Sequence, residues 1–236
     1  MKYNKCEKFD KEFLKANMMG PNCVKLLEDI TDHISLKPGI RVLDLGCGKG
    51  LTSIFLAREF GVTVYATDLW ITATENFGRI QSFGLEDRVI PIHAEAHDLP
   101  YAHSYFDAAF TIDAYHYFGD AEDYMDLRFA PFVKPGGIIA IGVPGVKMDL
   151  DEEPSEIAPY VTAEDFATFR STDWWKRHLE ASRLFKLERV WEFEGFDEAW
   201  NDWLACDNPY AIRDRDMIRA NNGKYMNLIC IIGKRI

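Results

Sequence analysis

Gly46, Gly48 and Gly50 take alternate positions in VLDLGCGKG (42–50), just after Asp44. Glycines at that spacing let backbone N–H groups come close to a ligand, and a helix starting near Gly50 turns its positive end to the same place. Two ligand classes compete for such a loop. A dinucleotide calls for G-x-G-x-x-G, with the third glycine where the helix packs on the strand. Here that position is Leu51, and the third glycine comes one residue early. A diphosphate also gains nothing from Asp44 at the mouth of the loop. A cation does, and a sulfonium bearing an α-ammonium group is such a cation. Asp68 ends the next β-rich run, VYATDLW, where a carboxylate can accept hydrogen bonds from both hydroxyls of a ribose.

Further along stand three other candidates. His93-x-Glu95-x-His97 offers imidazoles and a carboxylate on one strand face, a set that suits zinc or iron, but no second ligand cluster supports it and no metal is expected. His116 has an unperturbed pKa of roughly 6.5, which suits a general base at neutral pH; a histidine that only lines the pocket is the equal alternative. Trp191, Trp200 and Trp203 sit among Glu192, Glu194, Asp197, Glu198 and Asp202. Tryptophan in such a place is more often core, yet aromatic faces beside carboxylates would also hold a substrate amine.

The ordered set of motifs resembles that of the class I S-adenosylmethionine-dependent methyltransferases. Asp44-Leu-Gly46-Cys47-Gly48-Lys-Gly50 is similar to their first motif, D/E-x-G-x-G-x-G. By that resemblance Asp44 steers the amino acid part of S-adenosyl-L-methionine, Asp68 holds the ribose and Leu69 packs on the adenine. The segment HAEAHDLP (93–100) resembles the family's G-D-A-x-x-L-P, so that Glu95, in place of the usual aspartate, and Ala96 meet the adenine edge. TIDAYHYF (111–118) resembles the fourth motif, which places Asp113 to Tyr117 against the methionine part and the methyl group. Asp113 is then a cofactor contact, and Tyr115, Tyr117 and Trp200 are expected to touch the acceptor. An NAD-dependent oxidoreductase and a non-catalytic binder of the same nucleoside are the rivals from other classes.

The elements that must position these residues are legible as alternation. IRVLDL (40–45), VTVYAT (62–67), RVIPIH (88–93), FDAAFTI (106–112) and GIIAIGV (137–143) are apolar on both faces, as strands covered above and below are. Helical spacing separates them in TSIFLAREF, WITATENFGRIQSF and AEDYMDLRFAPFV, and βαβ units with a parallel sheet follow. LysProGlyGly (134–137) reads as a turn before the fifth strand. Thr162-x-x-Asp165 resembles a capping box, a helical stretch follows in DWWKRHLEASRLF, and LERVWEF (187–193) and YMNLICIIG (225–233) read as two last strands. The resemblance implies a doubly wound, mostly parallel seven-stranded sheet with helices on both faces. Residues 1–236 are expected to form one methyltransferase domain, with a helical cap at 1–36, broken at Met19-Gly20-Pro21. Segments 144–186 and 195–224 are expected to cover the acceptor.

Composition bounds the partners. The net charge of −11 repels phosphate backbones and anionic lipid, so neither nucleic acid nor membrane is an expected partner. No apolar run approaches the roughly 20 residues of a bilayer span. Five cysteines without CxxC spacing read as reduced thiols, so a cytoplasmic protein, monomer or homodimer, is expected. The acceptor is expected to be small, an amine nitrogen before an oxygen.

Overall fold

The computed structural model describes residues 2–150 and 152–236. Its centre is one sheet in the order β3-β2-β1-β4-β5-β8-β7. The strands are β1 (Arg41–Leu45), β2 (Thr63–Asp68), β3 (Val89–His93), β4 (Phe106–Ile112), β5 (Val133–Val146), β7 (Phe185–Glu192) and β8 (Met226–Arg235). An eighth strand, β6 (Arg170–Ser171), adds two residues beside the end of β5. Strands β1 to β5 pair in parallel, and β8 runs antiparallel between β5 and β7. The chain order reverses between β1 and β4. Their carboxyl ends therefore open a crevice, the place where open α/β sheets bind ligands.

Strand periodicity divides the core into two layers. Val42 and Phe110 face the layer that holds Leu26, Ile54, Phe55 and Trp203. Their neighbours Leu43, Leu45 and Ala109 face the layer of Phe129, Trp175 and Leu179. One-residue alternation of this kind is what a pleated strand imposes, and helices on both faces explain why both sets are apolar.

The helices are α1 (Lys11–Asn17), α2 (Cys23–Thr31), α3 (Leu51–Phe60), α4 (Ala73–Gln81), α5 (Ala163–Ala167), α6 (Thr172–Glu180), α7 (Phe196–Leu204) and α8 (Pro209–Asn221). Their starts are written in side chains. Asp10, Asn22, Thr72, Thr162, Ser171 and Asn208 each accept a backbone N–H of the first turn. Asn22 does more: its N–H donates to Ala199 O at 3.0 Å and its side-chain amide to Asp202 Oδ2 at 2.7 Å. The break at Met19-Gly20-Pro21 is thereby pinned to α7.

Three expectations change in detail. LysProGlyGly (134–137) lies inside β5 as a bulge, because the pairing steps from Phe106 with Val133 to Ala108 with Ile138. The stretch 121–133 forms only a single π-type turn (Met125–Phe129) and a 3-10 turn (Ala130–Phe132), in which Pro131 lacks the N–H needed to continue. β5 then runs on to Val146, so the first three residues of the segment expected at 144–186 to cover the acceptor belong to the sheet. The segment 195–224 holds two helices, α7 and α8, of which only α8 has a side-chain N-cap, Asn208.

Candidate active site

The crevice holds two adjoining cavities, of about 280 and 600 Å³. The glycine loop, the ends of β2, β3 and β4 and the break before α2 line the smaller one. All three loop glycines have positive φ: 72° at Gly46, 53° at Gly48 and 80° at Gly50. At Gly46 a side chain is excluded twice over, since an added Cβ would also lie 2.3 Å from Ala114 Cβ. The loop is fixed from behind by Gly46 and Cys47 N–H groups donating to Thr67 O, and by Asn76 Nδ2 donating to Gly48 O at 2.9 Å.

Asp68 lines this cavity and is nearly buried. Its Oδ2 accepts Gly48 N–H at 2.8 Å; its Oδ1 accepts Trp70 N–H at 2.8 Å and Ile71 N–H at 2.9 Å. The carboxylate ties the loop to the end of β2 and keeps a lone pair on Oδ2 for a ligand hydroxyl. Leu69 and Trp70 line the cavity beside it, both exposed. Glu95 and Ala96 line the opposite side. Glu95 accepts His97 Nδ1 at 2.7 Å and His97 N–H at 2.9 Å; these bonds outweigh burial and hold its carboxyl below the usual range. His93 turns away to the Leu69 carbonyl at 2.7 Å, so His93, Glu95 and His97 do not converge on one point.

Asp44 stands behind the loop. It is fully buried and does not line either cavity. Its Oδ2 accepts the hydroxyls of Thr52 at 2.7 Å and Ser53 at 2.5 Å, while Oδ1 has no partner. Burial pushes its pKa up to about 6, against those hydroxyls, which pull it down. The carboxylate is thus an anchor for the first turn of α3.

The larger cavity lies between the crevice and the C-terminal elements. Trp70, Tyr160, Phe169, Trp200, Trp203 and Tyr210 give it aromatic faces; Asp113, Asp165 and Asp214 are its carboxylates and Lys49 and Arg213 its cations. Trp203 Nε1 donates to Asp214 Oδ2 at 2.9 Å, and Trp200 Nε1 has no partner. Asp113 and Tyr117 line both cavities.

Several expected contacts fall elsewhere. Tyr115 lines neither cavity: its ring is fully buried against Phe129, Trp175 and Tyr124 in the second core layer. Trp191 lines neither cavity: it packs partly buried against helix α2, where Nε1 donates to Asp29. The acids near the tryptophans also turn away; Glu194 pairs with Lys2 and Asp202 with Lys25. His116 does line the larger cavity, with Nδ1 unpartnered, but burial lowers its pKa to about 3. A neutral imidazole of such low basicity disfavours the expected role of general base. Asp165, Asp214 and Arg213 carry no local signal that separates them from other surface charges; only the fold brings them to the site.

A methyltransferase-domain family model matches residues 42–137. Methyltransferase GfsG of Streptomyces halstedii is 34% identical over 129 residues, which are 54% of this chain and 46% of that protein. The phosphoethanolamine N-methyltransferase 2 of Haemonchus contortus, solved with S-adenosyl-L-methionine, superposes with a TM-score of 0.73 at 18% identity, over 100% of this chain and 60% of that one. The geranyl diphosphate C-methyltransferase of Streptomyces coelicolor A3(2), solved with Mg2+, geranyl diphosphate and S-adenosyl-L-homocysteine, gives 0.70 at 17% identity, over 89% and 80%. The chain spans under half the length of the first curated relatives it matches. Among the described residues no helix is long and apolar enough to cross a membrane. The sheet order, the left-handed glycine loop over the β1–β4 crevice and the methyltransferase domain matched over residues 42–137 support a class I S-adenosylmethionine-dependent methyltransferase.

Proposed function

We propose that this protein transfers a methyl group from S-adenosyl-L-methionine to a small acceptor, an amine nitrogen, bound in the larger cavity. The observation that carries the reading is the adjacency of two unlike cavities. One is built like a nucleoside site; the other combines aromatic faces with carboxylates and shares a wall with the first. When bound, S-adenosyl-L-methionine supplies an electrophilic methyl carbon on a sulfonium.

The residues present fit that group. The smaller cavity approaches the few hundred Å³ typical of ligand pockets. Asp68 offers its remaining lone pair to a ribose hydroxyl, Leu69 an apolar face to a base, and Glu95 with Ala96 closes the far side. Asp44 acts through the loop and α3 rather than by touching the donor. In the larger cavity Trp200, Trp203 and Tyr210 hold a cationic amine by their faces, and the carboxylates balance its charge. Alignment of acceptor and donor is the protein's main contribution, since the sulfonium is already activated. The cap before α2 and the segments 144–186 and 195–224 exclude water from both cavities.

An oxygen acceptor is the second reading, favoured by Lys49 and Arg213, whose charges suit a phenolate. Calorimetry with S-adenosyl-L-homocysteine and with NAD tests the donor: the first binds and the second does not, and binding of NAD alone overturns the family role. A panel of amines and phenols, read by released S-adenosyl-L-homocysteine, tests the acceptor. Turnover confined to phenols would retire the amine.

A further inference from the structure

Asp113 is the one carboxylate that lines both cavities. Its side chain accepts no hydrogen bond from the described residues, unlike Asp68 and Glu95. Its backbone is held at φ 59°, one of three non-glycine residues in the left-handed region among those described. Aspartate tolerates that conformation better than most residues, but it still costs energy, and such residues cluster at functional sites. Its N–H donates to Gly142 O at 2.7 Å, which fixes the turn that aims the carboxylate. Against it packs Gly20, where an added Cβ would lie 2.4 Å from Asp113 Oδ2. The cap has no side chain there, and the carboxylate fills the space.

Building on the function proposed above, we propose that Asp113 is the proton acceptor of the reaction and that the charge on the donor's sulfur sets its ionisation. With a sulfonium in the smaller cavity it is an anion; with a thioether there it is a neutral acid. The acceptor's ammonium gives a proton to a carboxylate oxygen of Asp113. The freed nitrogen lone pair then forms the N–C bond as the C–S bond breaks, with its electron pair going to sulfur. The proton leaves to water when the products do.

The surroundings leave this task to Asp113. Asp214 and Arg213 of α8, Asp165 of α5 and Lys49 of the loop share the larger cavity with it, and Cys23 of α2, Asp68, Glu95 and His97 the smaller one; His116 and Tyr117 stand on its own segment. Arg213 is paired with Asp214 at 3.1 Å, and Lys49 Nζ donates to Ala16 O at 3.1 Å. Burial pushes the Cys23 thiol and the Tyr117 phenol up, out of reach of neutral pH, and keeps His116 neutral. Burial, with Asp214 adding its charge, holds the Asp113 carboxyl at about 7. A positive charge next door lowers it, and discharge of that charge raises it again.

The test is calorimetry at pH 6 in buffers of different ionisation enthalpy, with S-adenosyl-L-methionine and S-adenosyl-L-homocysteine as ligands. Binding of the sulfonium releases close to one proton, and binding of the thioether releases nearly none. In Asp113→Asn the difference disappears. Equal release by the two ligands overturns the proposal without touching the donor assignment, and so does a difference that survives in Asp113→Asn. The wild-type measurement stands even where the variant does not fold. Failure of both ligands to bind overturns the donor assignment and this proposal together. With any amine found by the panel, Asp113→Asn lowers kcat at least 100-fold and changes donor affinity less; an unchanged kcat overturns the proton transfer.

Discussion

Around the smaller cavity the chain satisfies most of its own polar groups: Asp68 takes three N–H bonds, Glu95 two, and Gly48 O the amide of Asn76. Around the larger one, His116 Nδ1 and Trp200 Nε1 are buried with no partner among the described residues. An unpaired buried polar atom costs about 1 to 3 kcal/mol, a cost that a polar ligand in the cavity would offset. The smaller cavity, the proposed donor side, is a finished mould. The larger one keeps polar groups free for the proposed acceptor.

The strongest way to break this contrast is to deform the mould. Gly46→Val places a branched side chain at φ 72° with its Cβ against Ala114. Overpacking and left-handed strain together cost about 3 kcal/mol or more. Thermal melts should show that loss, and calorimetry no binding of S-adenosyl-L-homocysteine. Retained binding would mean that the loop does not shape the donor site.

Asp113→Asn has the opposite sign. A carboxyl raised from 3.8 to about 7 destabilises the fold by an amount that is absent below pH 3.8, grows between pH 3.8 and 7, and is complete above 7. The variant should be more stable than the wild type by about 2 kcal/mol at pH 8, roughly half what the full shift gives, because water in the cavities screens the charge. The gain should vanish near pH 3.5. Denaturant titrations at the two pH values check it, and a variant that is less stable at pH 8 would remove the unpartnered carboxylate from the contrast.

The same contrast explains what the sequence could reveal. The proposed donor site is built from 44–50, 68–70 and 95–96, each at a strand end that repeats a recognisable local pattern, and one strand face follows from the next by period two. The proposed acceptor cavity takes Asp165, Trp200, Arg213 and Asp214 from three helices that meet only in space. Trp191 and Trp200 look alike in the sequence, yet β7 packs one on α2 beside Asp29 while α7 sets the other at the larger cavity. Tyr115 was unreadable for a related reason: at the end of β4 one residue of twist decides between cavity and core.

Asp68→Asn sharpens the comparison at the donor end. Replacing one oxygen by an amide removes an acceptor from the set that holds Gly48, Trp70 and Ile71. Affinity for S-adenosyl-L-homocysteine should fall about tenfold, close to 1.4 kcal/mol, with the melting temperature little changed. An unchanged affinity would reduce Asp68 to a structural cap.

The smallest effect lies in the shared wall. Trp70 and Tyr117 line both cavities and meet edge to face, 5.4 Å between centroids and 64° between planes. Both are more than half exposed, so the pair adds only about 0.5 to 1 kcal/mol in the free protein. A double-mutant cycle with Trp70→Ala and Tyr117→Ala measures that coupling by denaturant unfolding. Repeated with S-adenosyl-L-homocysteine bound, the coupling should grow, because a filled donor cavity restrains the rings on one side and leaves them fewer alternative rotamers. Coupling that is the same with and without ligand would mean that the wall stands unaided, and that the two cavities, though adjacent, are independent.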